Sequence, residues 1–212
     1  DDDVSNEAFP FFTIKRISIS NIPCVAVRIS YIGELGWEIY TPTEYGLSLW
    51  DELREVSREF NMICSGAGAF ESLRLEKGYR SLGSDIHSNA NPYESGLGFT
   101  VKLKKDADFI GKEALLKIKE QPIQKKLACM ILDDPEGMAL GTEPIYSQGK
   151  NVGYVTSTNY GYFVDKHIVY GYLPKELSDY GTKLELEYFG KRYPLIVTNE
   201  PLLDPNNTRL KS

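Results

Sequence analysis

The stretch Lys183-Leu184-Glu185-Leu186-Glu187-Tyr188-Phe189-Gly190-Lys191-Arg192-Tyr193-Pro194-Leu195-Ile196-Val197-Thr198 reads as two β-strands and the turn between them. Leu184, Leu186 and Tyr188 alternate with Glu185 and Glu187, the period-two pattern of a strand with one dry and one wet face. Phe189 to Arg192 is read as the hairpin turn, and the apolar, β-branched run after it as the return strand. Toward the N-terminus, LACMIL (127–132), NVGYVTST (151–158) and HIVYGYL (167–173) are runs of the same kind. Five or more such strands within about 90 residues predict a small antiparallel barrel or sandwich.

The residues before this block mix strands with helices. Ile22 to Ser30 is β-rich, and Trp37 to Tyr40 resumes extended character after a glycine turn at Gly33 and Gly36. Pro42-Thr43 opens a helix with Thr43 as N-cap, and Leu49, Leu53, Val56 and Phe60 fall on one helical face. A second helix starts at Ser65 or Gly66, runs to about Lys77 and stops at Gly78. Tyr79 to Gly98 is turn-rich and long, the character of a binding loop. A short strand at Phe99–Leu103 and a helix near Lys112–Glu120, ended by Pro122, lead into the β-rich block. The expected class is α+β: an α+β subdomain over 1–94, a linker strand and helix over 95–124, and a small antiparallel β-barrel over 125–212.

Charge and composition exclude several functions. The 212 residues carry 24 basic and 30 acidic side chains, a formal net charge of -6, which argues against a nucleic-acid partner bound by phosphate neutralisation. The longest apolar runs are far shorter than the ~18 residues of a membrane span, so a soluble chain without a membrane partner is expected. Cys24, Cys64 and Cys129 stand alone, and His87 and His167 lie far apart, so no metal site is expected. Lone cysteines without a signal segment fit reduced thiols in a cytoplasm or mitochondrial matrix. The chain opens Asp1-Asp2-Asp3 without a methionine, from which processing or excision from something longer is expected.

Each motif has a plain structural reading beside a functional one. Gly66-Ala67-Gly68-Ala69-Phe70-Glu71 has the GxG start of a dinucleotide loop, but Glu71 stands where the third glycine would meet a pyrophosphate, and a simple helix start explains it. Two histidines and no GxSxG elbow argue against hydrolysis. Tyr31-Ile32-Gly33-Glu34-Leu35-Gly36-Trp37-Glu38 says most. Its glycines permit a tight backbone that brings Tyr31 and Glu38 toward one concave spot. A ring there can cover a flat heterocycle, and a carboxylate can accept two hydrogen bonds from the amino-imine edge of a pterin or guanine. The alternative is a β-turn with a buried Tyr and a solvated Glu.

Y-I-G-E-L-G-W-E at 31–38 resembles the Y-T-G-E-D-G-F-E motif of the glycine-cleavage T-protein (aminomethyltransferase) family. G-A-G-A-F-E-S-L-R-L-E-K-G at 66–78, N-P-Y-E-S-G-L-G-F at 91–99, D-F-I-G-K-E-A-L at 108–115 and V-G-Y-V-T-S-T at 152–158 are similar to further family motifs in the same order. S-N-E-A-F-P-F-F at 5–12 and L-E-K-G-Y-R-S-L-G at 75–83 resemble sarcosine and dimethylglycine dehydrogenases or oxidases, which join an N-terminal flavin domain to a C-terminal folate domain.

The resemblance implies the C-terminal part of the family's folate-binding fold. It implies that tetrahydrofolate captures a one-carbon unit from a methylamine or aminomethyl donor as 5,10-methylene-tetrahydrofolate. FAD is implied only in a preceding N-terminal part of such an enzyme, which would then be a partner of these residues. By the same resemblance Tyr31 lines the folate cavity, Glu38 hydrogen-bonds the pterin, and Tyr79 and Arg74 are further folate-binding candidates. Phe70 stands where glycine-cleavage T-proteins carry an arginine, for which Arg74 or Arg80 is a nearby substitute. The family's catalytic aspartate is expected upstream of this chain, so these residues alone are expected to be inactive. Two alternatives are a non-catalytic folate-binding relative, such as those of iron–sulfur cluster assembly, and a pure interaction module. The first is disfavoured because Lys77-Gly78-Tyr79 lacks that group's K-G-C cysteine.

Overall fold

The structure is a computed structural model and describes residues 2–211; Asp1 of the opening acidic run and Ser212 at the end of the chain lie outside the described residues. The described chain divides into two compact units. One holds the residues through Tyr79 together with those from Leu203 onward, and the other holds Arg80–Leu202.

The first unit begins with a three-stranded antiparallel sheet, β1 (Ile14–Ile19), β2 (Ile22–Val27) and β3 (Glu38–Tyr40), in that order. Ser20 and Asn21, both at positive φ, make the two-residue turn that pairs Ile19 with Ile22. On one face Ile22 and Cys24 pack with Leu49 of helix α1 (Gly46–Val56), flanked by Ile17, Ile19, Ile39 and Leu53. The N-terminal segment is held by Arg28, which is buried, donates to the Phe9 carbonyl at 2.7 Å and lies over the Trp37 ring.

Three sequence expectations change here. Strand β1 was not foreseen, because IKRISI carries two basic residues and its face is largely exposed. Thr43 is not an N-cap: Thr43–Tyr45 forms a turn of 3-10 helix, and α1 follows it without a side-chain cap. The apolar stripe also breaks, since α1 ends at Val56 and a 3-10 turn over Ser57–Phe60 carries Phe60 outward. Leu49 is buried, whereas Val56 and Phe60 are exposed.

Helix α2 (Ala67–Glu76) is as expected, capped by Gly66 and stopped by Gly78 at φ 75°. The chain's last described residues return to its end. Leu203 N–H donates to the Glu76 carbonyl at 3.0 Å, and the Asp204 carboxylate meets the Lys77 ammonium at 3.2 Å. Both partners of that ion pair are almost fully buried. Asp204 also accepts from the Thr208 hydroxyl (2.6 Å), the Thr208 amide (2.8 Å) and the Arg209 amide (3.1 Å), and Leu210 buries its side chain.

The second unit is built on a closed antiparallel barrel. Its strands are β4 (Lys125–Leu132), β5 (Pro144–Ser147), β6 (Lys150–Gly161), β7 (Lys166–Pro174), β8 (Lys183–Tyr188) and β9 (Lys191–Thr198). They run in the order β4-β7-β6-β5-β8-β9, and β9 closes on β4. Alternate residues fill the interior: Ala128, Met130 and Leu132 from β4, Leu184 and Leu186 from β8, and Tyr193, Leu195 and Val197 from β9. The expected hairpin turn is Phe189–Gly190 alone, both at positive φ, with Lys191 already paired to Tyr188. Strand β5 was missed because Pro144 opens it and it is only four residues long.

Residues 99–103 form no strand; Gly98–Thr100 is a 3-10 turn, and helix α3 (Lys112–Lys119) follows. The segment from Arg80 to Gly98 packs on the outer face of β4 and β7, so Leu127, Cys129, Ile168, Tyr170 and Tyr172 are buried outside the barrel as well. Asp85 pins this segment. Its carboxylate accepts from the Thr156 (2.5 Å) and Ser157 (2.9 Å) hydroxyls and the Ser81 amide (2.9 Å), while the Tyr172 hydroxyl donates to its carbonyl at 2.7 Å. A register shift between Val155 and Ser157 inserts Thr156 as an extra residue, which aims both hydroxyls at one carboxylate.

Two outcomes follow from this packing. A Cβ on Gly153 would lie 2.1 Å from the Tyr172 carbonyl oxygen, so Gly153→Ala should destabilise the barrel by about 2 kcal/mol or more in chemical denaturation. The Thr208 hydroxyl, with the Thr208 and Arg209 amides and the Lys77 ammonium, lowers the Asp204 carboxyl to about 2. A depressed carboxyl stabilises the fold above its unfolded value of about 3.9 and loses that contribution as pH falls toward 2. The stability gap between wild type and Asp204→Asn should therefore narrow between pH 5 and pH 2.5. A gap that stays constant contradicts the assignment.

Candidate functional site

The loop from Tyr31 to Trp37 is shaped by close approaches that only glycine allows. Gly33 has φ 80°, and a Cβ there would sit 3.1 Å from the Lys77 side chain. A Cβ on Gly36 would sit 2.8 Å from the Ile29 carbonyl oxygen. Between its ion pair with Asp204 and its stem against Gly33, Lys77 therefore braces the loop.

The Tyr31 ring stacks on Phe70, with centroids 5.2 Å apart and planes 26° apart. It also stacks on Tyr79, at 5.7 Å and 21°. These are offset-stacked aromatic pairs. Phe70 comes from the first turn of α2 and Tyr79 from just beyond its end, so one helix delivers both partners. Phe70 remains 43% exposed, which leaves aromatic surface open at the stack. Burial, with the charge of Asp204, raises the Tyr79 phenol above its usual value, so the hydroxyl keeps its proton at neutral pH.

Tyr79 is held by its backbone. The Gly78 amide donates to the Leu75 carbonyl at 3.0 Å and the Tyr79 amide to the Arg74 carbonyl at 2.9 Å, the paired bonds of a Schellman turn. The Arg74 guanidinium then donates to the Tyr79 carbonyl at 3.0 Å. Its other face meets Glu71 Oε2 from Nε (2.9 Å) and from the terminal nitrogen (2.7 Å).

Glu38 begins β3 on an exposed face and accepts from the Tyr40 hydroxyl, two residues along the same face. That hydrogen bond raises the Tyr40 phenol. Ile39, between them, points to the sheet core. Of the four candidates, Tyr31 and Tyr79 stack together, Arg74 lies behind Tyr79, and Glu38 stands apart on β3, bonded to Tyr40. Arg80 is committed elsewhere in the second unit. It pairs with Glu200 at 2.6 Å, donates to the Ser95 carbonyl at 3.2 Å and lies over the Tyr170 ring.

Sequence reading missed the roles of Phe70 as a stacking partner and of Asp204 as a brace. The aromatic at 70 was a visible signal; the pairing of Lys77 with a residue 127 positions away left none. Gly66 starts α2 directly after irregular chain, with no preceding strand, which removes the structural context of a dinucleotide loop.

The two histidines lie in the second unit. His87 accepts the Asn89 amide at Nδ1 and lies 3.2 Å from the Tyr154 hydroxyl. His167 lies 3.0 Å from the Thr158 hydroxyl, and burial lowers its pKa. A cavity of about 390 Å³ opens beside it, lined by Asp133, Asp134, Tyr160 and Asp165. Among the described residues no group of His, Cys, Asp and Glu could hold a metal ion, and no helix is long and apolar enough to cross a membrane.

Comparison with known proteins identifies the family. The family model "GCVT N-terminal domain" matches residues 1–105, and "Glycine cleavage T-protein C-terminal barrel domain" matches residues 125–204. The chain is similar to human mitochondrial dimethylglycine dehydrogenase, at 40% identity over 99% of this chain and 24% of that protein. It is also similar to human mitochondrial sarcosine dehydrogenase, at 35% identity over 100% of this chain and 24% of that protein. Among solved structures, the glycine cleavage system aminomethyltransferase T from Bartonella henselae superposes with a TM-score of 0.78 at 27% identity, covering 85% of this chain and 50% of that one. The chain thus spans about a quarter of the length of the two dehydrogenases and half that of the aminomethyltransferase. With both halves matched and the barrel in place, the chain belongs to the glycine-cleavage T-protein (aminomethyltransferase) family.

Proposed function

We propose that this chain forms part of a tetrahydrofolate site that captures a one-carbon unit as 5,10-methylene-tetrahydrofolate. The donor would be a methylamine or aminomethyl compound, within an enzyme of the dimethylglycine or sarcosine dehydrogenase type. The observation that carries the reading is the stack of Tyr31 on Phe70 and Tyr79, an open aromatic surface suited to a flat heterocycle.

The residues present fit such a ligand. Tyr31 and Tyr79 would wall the ring, with Phe70 adding aromatic area where other family members carry an arginine. Glu38 has acceptor capacity beyond its bond to Tyr40 and an exposed position, so its carboxylate would take the amino-imine edge of the pterin. Bound tetrahydrofolate supplies two amine nitrogens that take up the one-carbon unit. The contribution of this chain is binding and orientation, which lowers the barrier by replacing a bimolecular encounter with one between held reactants. The catalytic aspartate and any FAD-dependent oxidation of the amine would belong to residues outside this chain. The compartment in this reading is the mitochondrial matrix or the cytoplasm.

Titration of the purified protein with tetrahydrofolate tests the reading. Glu38→Ala should weaken binding by about 10- to 30-fold, the scale of one lost charge-assisted hydrogen bond. An unchanged dissociation constant would sink the Glu38 assignment. Absence of binding by the wild type, together with a stable complex with a flavoprotein chain, would favour an interaction module instead.

A further inference from the structure

We infer that Arg74 is a positioning residue that acts on the ligand through Tyr79 and does not touch the ligand itself. The inference rests on the folate reading above and deepens it at one side chain. It also revises the expectation that Arg74 binds folate directly.

Arg74 is 2% exposed as a residue, so little of it faces any solvent or ligand. Two of its nitrogens converge on Glu71 Oε2, at 2.9 and 2.7 Å, and a third donates to the Tyr79 carbonyl at 3.0 Å. A guanidinium is a rigid planar fork, so fixing it on Glu71 at one edge fixes the direction of the donor at the other. The backbone of the same arginine accepts the Tyr79 amide at 2.9 Å. One residue thus grips both polar groups of the Tyr79 peptide backbone, and Gly78, at φ 75°, supplies the left-handed turn that brings them within reach.

This grip determines where the phenol ring lies. Tyr79 follows the helix in a turn and is not part of a strand, and its ring meets Tyr31 at 5.7 Å. Without the Arg74 donor, the Tyr79 carbonyl loses a charge-assisted bond in a partly buried setting, and only the Tyr79 amide still ties the residue to the end of α2. Held at one end instead of two, Tyr79 would let its ring drift from Tyr31 and loosen the flat wall while leaving α2 intact. Glu71 is more exposed than Arg74, at 43% against 3% for the side chains, so water can replace the arginine at its carboxylate. A neutral replacement at 74 should therefore leave the protein folded.

A double-mutant cycle with tetrahydrofolate as the probe decides the matter. Arg74→Gln, Gly78→Ala and Tyr79→Ala are compared singly, and the first two are also placed in the Tyr79→Ala background. Thermal unfolding confirms that each variant is folded. Arg74→Gln should weaken tetrahydrofolate binding by about tenfold in the wild-type background and by less than about twofold when Tyr79 is already alanine. Gly78→Ala, which strains the same turn from the other side, should show the same dependence on Tyr79 and serves if Arg74→Gln does not fold. Near-ultraviolet circular dichroism should report the loss of tyrosine stacking in both single variants.

A loss that persists undiminished in the Tyr79→Ala background would overturn the inference and make Arg74 a direct contact. Unchanged binding in both Arg74→Gln and Gly78→Ala would overturn it as well, while leaving the folate reading intact. A wild-type protein that binds no tetrahydrofolate overturns the folate reading first, and this inference with it.

Discussion

The site depends on one backbone turn, the four residues from Glu76 to Tyr79 at the end of α2. Only a residue that tolerates φ 75° can sit at position 78, and from that constraint the neighbouring roles follow. The Glu76 carbonyl receives the returning chain at Leu203, and Lys77 reaches Asp204 while bracing Gly33. Gly78 turns the backbone, and Tyr79 presents its ring to Tyr31. A buried ion pair such as Lys77–Asp204 is worth less to net stability than its Coulomb attraction implies, because both groups must leave water. Its consequence here is geometric: it fixes the last described residues against the helix that carries the aromatic stack.

The second unit shows the same economy. A single extra residue in β6 turns two hydroxyls toward Asp85, and that carboxylate holds the long segment from Arg80 to Gly98 against the barrel. Burying an acid this fully requires that each oxygen find donors, and Thr156, Ser157 and the Ser81 amide supply them. Arg80 is drawn into Glu200 and Ser95 in the same way, which removes it from the set of cations available to a ligand.

Much of this was legible in the residues. The alternation of Leu184, Leu186 and Tyr188 with glutamates gave the barrel strands, and Gly66 and Gly78 bracketed α2. What failed had local reasons. Thr43 reads as an N-cap because its side chain can accept an amide, yet Pro42 and a 3-10 turn start the helix without it. Val56 and Phe60 keep the spacing of a buried face, but α1 ends between them. Phe99–Leu103 alternates like a strand and has no paired neighbour. At the site, Tyr31 and Tyr79 were visible as motif residues. The Arg74 grip on the Tyr79 backbone was not, because a side chain bonding a main-chain carbonyl five residues away leaves no trace in composition or period. Membership of the family followed from ordered motifs; the interactions that aim the rings join groups that no motif or period links.

Hydrogen–deuterium exchange with and without tetrahydrofolate tests the central claim most directly, since backbone protection reports where a ligand settles. The account predicts slowed exchange at 31–38 and 74–80, the loop and the turn that carry the aromatic stack. Protection confined to the barrel cavity beside His167, or none at either place, would contradict it.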